Sequence, residues 1–165
     1  MSILMKVFGL TIDPLTNSPI LILKDMEGEK SIPIWIGLLE ATAIASELEK
    51  VKFARPMTHD LLKNLMDRIG LRLVKVEICD LRDNTYFALL HLVLQDEAFT
   101  MDARPSDAIA LALRAEAPIY VDEQVLQKSK EVDLGAKEEI QDTEAKKWTE
   151  ILESLSPEDF GKYKM

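Results

Sequence analysis

The chain has 165 residues, 47% of them hydrophobic, a single cysteine and a formal net charge of -9. That length and apolar share suit one domain with a core of its own, and the lone Cys79 excludes an intramolecular disulfide and a cysteine-built zinc cage. The acidic balance argues against a broadly basic nucleic-acid-gripping face, because such affinity comes mainly from neutralised phosphates; a local arginine cluster inside an acidic shell stays open.

The first residues, "MSILMKVFGLTID", lack the charged-then-apolar pattern of a signal peptide, and no apolar run approaches the ~20 residues needed to span a membrane. A cytoplasmic protein without membrane association is expected. Abundant Lys and Glu beside few Asn and Gln suggest a thermophilic source.

Residues Met5 to Ile12, Ile20 to Lys24 and Lys30 to Ile36 read as strands, with "DMEGE" as the turn between the second and third. After Gly37 the spacing becomes helical: in "LLEATAIASELEK", Leu38, Ala41, Ala45 and Leu48 share one side, and Glu40 and Glu47 share another stripe. "RPMTHD" announces a second helix, with Arg55 held extended by Pro56 and Thr58 as the expected N-cap. Its apolar residues Leu61, Leu62, Leu65, Met66 and Ile69 recur at helical spacing, and Gly70 is the stop. Three strands follow, Leu73 to Leu81, Tyr86 to Leu94 and Phe99 to Ala103. In the first of them Val74, Val76 and Ile78 alternate with Lys75 and Glu77, as in a sheet with one wet face.

"DARPSDAIALALR" then places two acids and an arginine around a Pro-Ser helix start, ahead of a helix apolar on almost every side. Ser106 is the expected cap, and Asp107 in the first turn suits the helix dipole. Asp107 and Arg114 fall on one stripe of that helix, and Asp102 and Arg104 are expected on one face of the preceding strand. A short strand, "APIYV", closes the region. Strands and helices interleave without a βαβ rhythm, so the expected fold class is α+β, with a mainly antiparallel or mixed sheet packed with a few helices in an unusual topology. The expected domain is 1–126. From 127 to 165 the composition turns charged and reads as a largely helical tail, with Trp148, Ile151, Leu152 and Leu155 on one stripe and Ser156 and Pro157 opening a last turn.

Two readings of the charged entrance stand side by side. In one, Asp102, Arg104, Asp107 and Arg114 form an internal network that satisfies buried charge. In the other they face solvent as an anion or metal site. "ARPMTHD" and "ARPSD" repeat the order Ala-Arg-Pro, hydroxyl residue, acid, so Arg55 and Arg104 arrive beside two helix N-termini, which attract anions. His59 falls on the stripe of Leu62 and Met66; a neutral imidazole there serves as a metal ligand, a general base or a structural hydrogen-bonding residue. His91, inside an apolar strand, reads as structural. There is no Gly-rich phosphate loop, G-x-S-x-G, H-E-x-x-H or C-x-x-C. The tools left for catalysis are carboxylates, His59 and arginines, which suit magnesium or manganese and metal-assisted phosphodiester hydrolysis.

"IPIWIGLLEATAIA", "RPMTHDLL" and "DARPSDAIALALRAEAPIYV", in that order between about Met5 and Leu126, closely resemble the bifunctional nuclease domain family. The resemblance implies an α+β domain, a homo-oligomer (a dimer is the guess), and RNA or DNA as substrate. By matching motif positions it marks Glu40, Arg55, His59, Asp60, Asp102, Arg104, Ser106 and Asp107 as site candidates. The expected roles are catalysis by His59, Asp60, Asp107 and Glu40, substrate binding by Arg55, Arg104, Ser106 and Arg114, and ligation of a divalent metal by Glu40, Asp102 and Asp107. The rival is a non-catalytic oligomeric module that binds a small anionic ligand or a protein partner. A nucleotide or other phosphorylated metabolite would use the same residues.

Overall fold

The structure, a computed structural model, describes residues 1–132; the expected stripe of Trp148, Ile151, Leu152 and Leu155 lies outside them. The strands are β1 (Ser2–Ile12), β2 (Pro19–Asp25), β3 (Ser31–Trp35), β4 (Leu71–Arg82), β5 (Thr85–Leu94), β6 (Glu97–Ala103) and β7 (Ile119–Asp122). The helices are α1 (Leu38–Leu48), α2 (Thr58–Ile69), α3 (Pro105–Ala115) and α4 (Glu123–Val132). All seven strands form one sheet in the order β3-β2-β1-β7-β4-β5-β6. Only β4 and β7 pair in parallel, so the sheet is mixed and the fold is α+β.

Strand alternation decides which face is dry. Val76 and Ile78 of β4 meet Ile119 and Val121 of β7 in register, and Ala88, Leu90 and Leu92 of β5 continue the same side. These residues join Leu21, Leu23, Ile32 and Ile34 from the N-terminal meander in one core, which the helices cover with Ala41, Ile44, Ala108 to Ala112, Val125 and Leu126. The other face carries Lys6, Lys24, Lys75, Glu77, His91 and Tyr120, and among the described residues no helix supplies a core contact to it.

The two edge strands each run straight into a helix. β3 passes through Gly37 into α1, and β6 passes through Arg104 into α3. Both helices bury small residues, Ala41 and Ala45 on α1 and Ala108, Ala110 and Ala112 on α3, and they pack closely against each other over the core. Opposite edges of the sheet are thereby brought together at two helix N-termini.

Both helix starts fall earlier than the hydroxyl residues suggest. Met57, not Thr58, is the N-cap of α2, and its backbone N–H donates to Asp60 Oδ2 at 3.0 Å. Arg104, not Ser106, caps α3. Pro105 takes the first helical position, where its fixed φ and missing N–H cost nothing, and Ser106 is carried into the buried first turn. β6 ends at Ala103, so strand alternation does not extend to Arg104 and does not put it beside Asp102. α4 starts at Glu123 and continues through position 127, where the composition changes; Val125, Leu126 and Ser129 are its buried residues.

Candidate active site

Three helices present an acid in the first turn: Glu40 on α1, Asp60 on α2 and Asp107 on α3. Such positions suit a carboxylate because the N-terminal end of a helix is electropositive. α1 and α2 both pack on α3, which brings the three helices that carry these acids into one layer.

Arg104 joins two of them. Its Nε donates to Asp107 Oδ2 at 2.8 Å and its Nη1 donates to Glu40 Oε1 at 2.9 Å, so the guanidinium bridges the helices that leave the two sheet edges. Asp107 Oδ1 in turn lies 2.9 Å from His59 Nε2. A continuous chain results, Glu40–Arg104–Asp107–His59. The guanidinium of Arg104 is 64% exposed while the His59 ring is 13% exposed, so the chain runs from the surface into a half-buried imidazole. Partial burial works against ionisation of Asp107, but hydrogen bonds from Arg104 and His59 outweigh it and hold the carboxyl below its usual range. Asp107 and Glu40 raise Arg104 further above its already high value. An ionised Asp107 is an acceptor only, so His59 Nε2 carries the proton between them.

Asp60 belongs to a second, deeper arrangement. Its Oδ1 accepts from Arg114 Nε at 2.6 Å, and Arg114 also donates to the carbonyls of Ala110 at 2.9 Å and Ala43 at 3.0 Å. Burial opposes the Asp60 charge, and Arg114 with the Met57 N–H more than offsets it, again holding the carboxyl low. Arg114 therefore locks α1, α2 and α3 together at one buried point. Asp107 and Arg114, although on one stripe of α3, sit seven residues apart, roughly 10 Å along the axis. They reach past one another to consecutive residues of α2: Asp107 to His59, Arg114 to Asp60.

The remaining candidates are not drawn in. Arg55 is exposed on the segment leading into α2, and no hydrogen bond or ion pair joins it to the cluster. Ser106 is buried one residue from Asp107. Asp102 pairs with Leu89 on β5, which places it on the helix-free face with Cys79. Glu40, Asp102 and Asp107 thus do not form one ligand set. Among the described residues no group of three or more His, Cys, Asp or Glu side chains is disposed to hold a metal ion.

Two contacts have no signal in local spacing. An ideal Cβ on Gly37 would lie 2.1 Å from Glu40 Oε2, so the glycine leaves the space into which Glu40 folds. On the helix-free face, Glu77 accepts from Ser2 Oγ at 2.6 Å and meets His91 Nε2 at 2.9 Å. Only the strand register reveals that second cluster.

A histidine and a carboxylate braced by a guanidinium stand at converging helix starts on a mixed-sheet α+β domain. Residues 21–133 match the bifunctional nuclease domain, and the chain belongs to that family. It is 40% identical to an uncharacterised protein of Mycobacterium tuberculosis over 94% of this chain and 96% of the relative. It is 29% identical to Bifunctional nuclease 2 of rice (Oryza sativa subsp. japonica) over 68% of this chain and 36% of that protein. To Bifunctional nuclease 2 of Arabidopsis thaliana it is 29% identical over 54% of this chain and 28% of that protein. The match thus spans about a third of the plant enzymes' length. No helix among the described residues is long and apolar enough to cross a membrane.

Proposed function

We propose that the chain is a nuclease that hydrolyses phosphodiester bonds in RNA and DNA, with Glu40, Arg104, Asp107 and His59 as its centre. The observation that carries this reading is the unbroken run of contacts from Arg104 through Asp107 to His59. Asp107 orients the imidazole, and His59 Nδ1 takes a proton from the attacking water. Arg104, exposed and bidentate by nature, exchanges part of its carboxylate contact for phosphate oxygens and stabilises the charge that builds on them. Arg55, exposed on the approach to α2, adds a second cation for the polymer backbone. Asp60 and Arg114 hold the helix starts in place, and Ser106 packs beneath Asp107.

Magnesium or manganese would have to take Arg104's position between Glu40 and Asp107. With the guanidinium there, those carboxylates do not fit a cation. The test is cleavage of end-labelled single-stranded RNA, single-stranded DNA and duplex DNA by purified protein in magnesium, manganese or EDTA, beside His59→Ala and Asp107→Asn. Cleavage lost in both folded variants supports the assignment; cleavage at equal levels in all preparations sinks it.

The rival, a module that binds a small anion or a protein without catalysis, is favoured by one observation: both carboxylates of the exposed cluster already have partners. On that reading the variants lose stability and the wild type cleaves nothing.

We infer further that the protein works in the cytoplasm as a homodimer. Its pairing surface is the face of α2 that carries Leu61, Leu62, Leu65 and Ile69, all exposed.

A further inference from the structure

The helix-free face of the sheet has an order that only the register exposes. Lys24 on β2 pairs with Lys6 on β1, and beyond β7 Lys75 on β4 pairs with His91 on β5, which pairs with Thr100 on β6. Ser31 on β3 pairs with Lys24 and begins the same line. Since Met5 pairs with Ile119 and Ile119 with Val76, Lys6 and Lys75 occupy the same level on either side of β7. One line of positions therefore crosses six strands and passes Pro118, the residue before β7, roughly 29 Å end to end at the usual strand spacing. It holds three lysines and a histidine and no acid. In a chain of net charge -9 this is a local reversal of sign.

Aromatic rings flank the line. Lys24 Nζ lies 3.6 Å from the centroid of Phe8, which is exposed, and Lys75 Nζ lies 5.4 Å from that of Tyr120. Farther along β4 and β5, Arg82 stacks on Phe87 at 4.0 Å. Acids also stand on this face: Glu77 and Asp102 in the neighbouring row, level with Tyr120 and Leu89, and Asp122 two residues beyond Tyr120; Glu77 is occupied by Ser2 and His91 and lies 3.8 Å from Lys75 Nζ. A lysine resting on a ring offers one cation and one π face at a single point. A nucleotide carries a matching pair, one phosphate and one base.

We propose that this face is the track on which a single-stranded nucleic acid lies, with Lys24, Lys6 and Lys75 holding the backbone and Phe8 and Tyr120 stacking bases. Unpaired bases are required, because a ring on a flat sheet meets a base only when the base is not already stacked in a duplex. The track ends on β6, the strand that leads directly into Arg104. The proposal rests on the nuclease reading and adds to it where the polymer sits.

Binding of a short fluorescent phosphorothioate oligothymidylate to the full-length chain tests it, with Lys6→Glu/Lys75→Glu, Phe8→Ala/Tyr120→Ala and, as a charge control, Lys130→Glu on α4. The lysine pair is expected to bind at least 10-fold more weakly, with the slope of log affinity against log salt smaller by about 1.4, two phosphate contacts at ~0.7 each. The aromatic pair is expected to lose about 10-fold or more, and Lys130→Glu to match the wild type. Circular dichroism confirms folding of each variant. Folded variants that bind like the wild type, a control that falls equally, or a duplex held as tightly through the same lysines would each overturn the track. Parallel cleavage assays separate the two ideas. Wild-type cleavage with unaltered binding in the lysine pair removes the track alone, whereas absence of both binding and cleavage removes the nuclease reading with it.

Discussion

Arg114 spends all three guanidinium nitrogens on different elements: Nε on Asp60 of α2, Nη1 on the Ala110 carbonyl of its own helix and Nη2 on the Ala43 carbonyl of α1. Removing it leaves the Asp60 carboxylate without its guanidinium and takes a second donor from two helix carbonyls inside the helix layer. Arg114→Met is expected to cost about 2 to 4 kcal/mol, below the upper range for a fully buried pair because the Asp60 side chain is 36% exposed and water can reach it. Urea unfolding reads this directly, and a loss under about 1 kcal/mol would show the lock is not structural. Asp107→Asn, by contrast, keeps the shape while removing the charge that orients His59. It is expected to lower cleavage by about 100-fold or more with a melting temperature near that of the wild type. Asp60 and Asp107 both have carboxyl pKa values held below the ordinary 3.8, so the unfolded chain takes up their protons first as pH falls. Their stabilisation is complete at neutral pH, begins to be lost near pH 4 and is gone once pH passes below the folded values. Arg114→Met should flatten the stability-against-pH curve in that acid window and leave the neutral-to-basic side parallel to the wild type.

At the scale of elements, the sequence was most legible where backbone chemistry leaves no choice. Gly70 ends α2 at φ 74, a conformation that costs other residues energy, and Gly70→Ala is expected to destabilise by about 1 kcal/mol in the same urea assay. Pro105 set the start of α3 for a comparable reason and overruled the serine after it. α4 was hard to read because few of its residues face the core, among them Val125, Leu126 and Ser129, while Glu123, Gln124, Gln127, Lys128 and Lys130 are charged or polar, which looks like a linker in one dimension. The site was legible as an inventory and not as a wiring diagram. Glu40, His59, Arg104 and Asp107 meet in one arrangement and Asp60 and Arg114 in another, but which acid takes which arginine depends on how α2 lies across α3, and no local period encodes that. Asp102 went to the other face because β6 ends one residue before Arg104. Gly37 shows the same limit. Its missing side chain makes room for the Glu40 carboxylate, so Gly37→Ala is expected to push Glu40 off Arg104 and change cleavage while shifting stability by less than about 1 kcal/mol, since the displaced group is the free end of a flexible side chain.

For the molecule as a whole, the helices cover one face of the sheet, and α2 leaves an apolar side of its own exposed. On α2, Leu61 is 63%, Leu62 42%, Leu65 56% and Ile69 54% exposed, while Met66 is buried and His59 turns toward Asp107. Four aliphatic side chains on one exposed helix face carry no polar pattern for a varied partner to read. A second copy satisfies such a face by a two-fold axis, which sets each residue opposite its own equivalent set. In the proposed dimer, two α2 helices crossing antiparallel would also set each electropositive N-terminus beside the other's C-terminus. Leu65 sits near the middle of that face, so Leu65→Lys brings two like charges to the centre of the contact and is expected to convert a dimer to a monomer in sedimentation. Its own fold should persist, since the substituted position faces outward. The wild-type melting temperature should rise with protein concentration and the variant's should not. A wild-type chain that sediments as a monomer at every concentration would remove the dimer and leave the α2 face to a different protein.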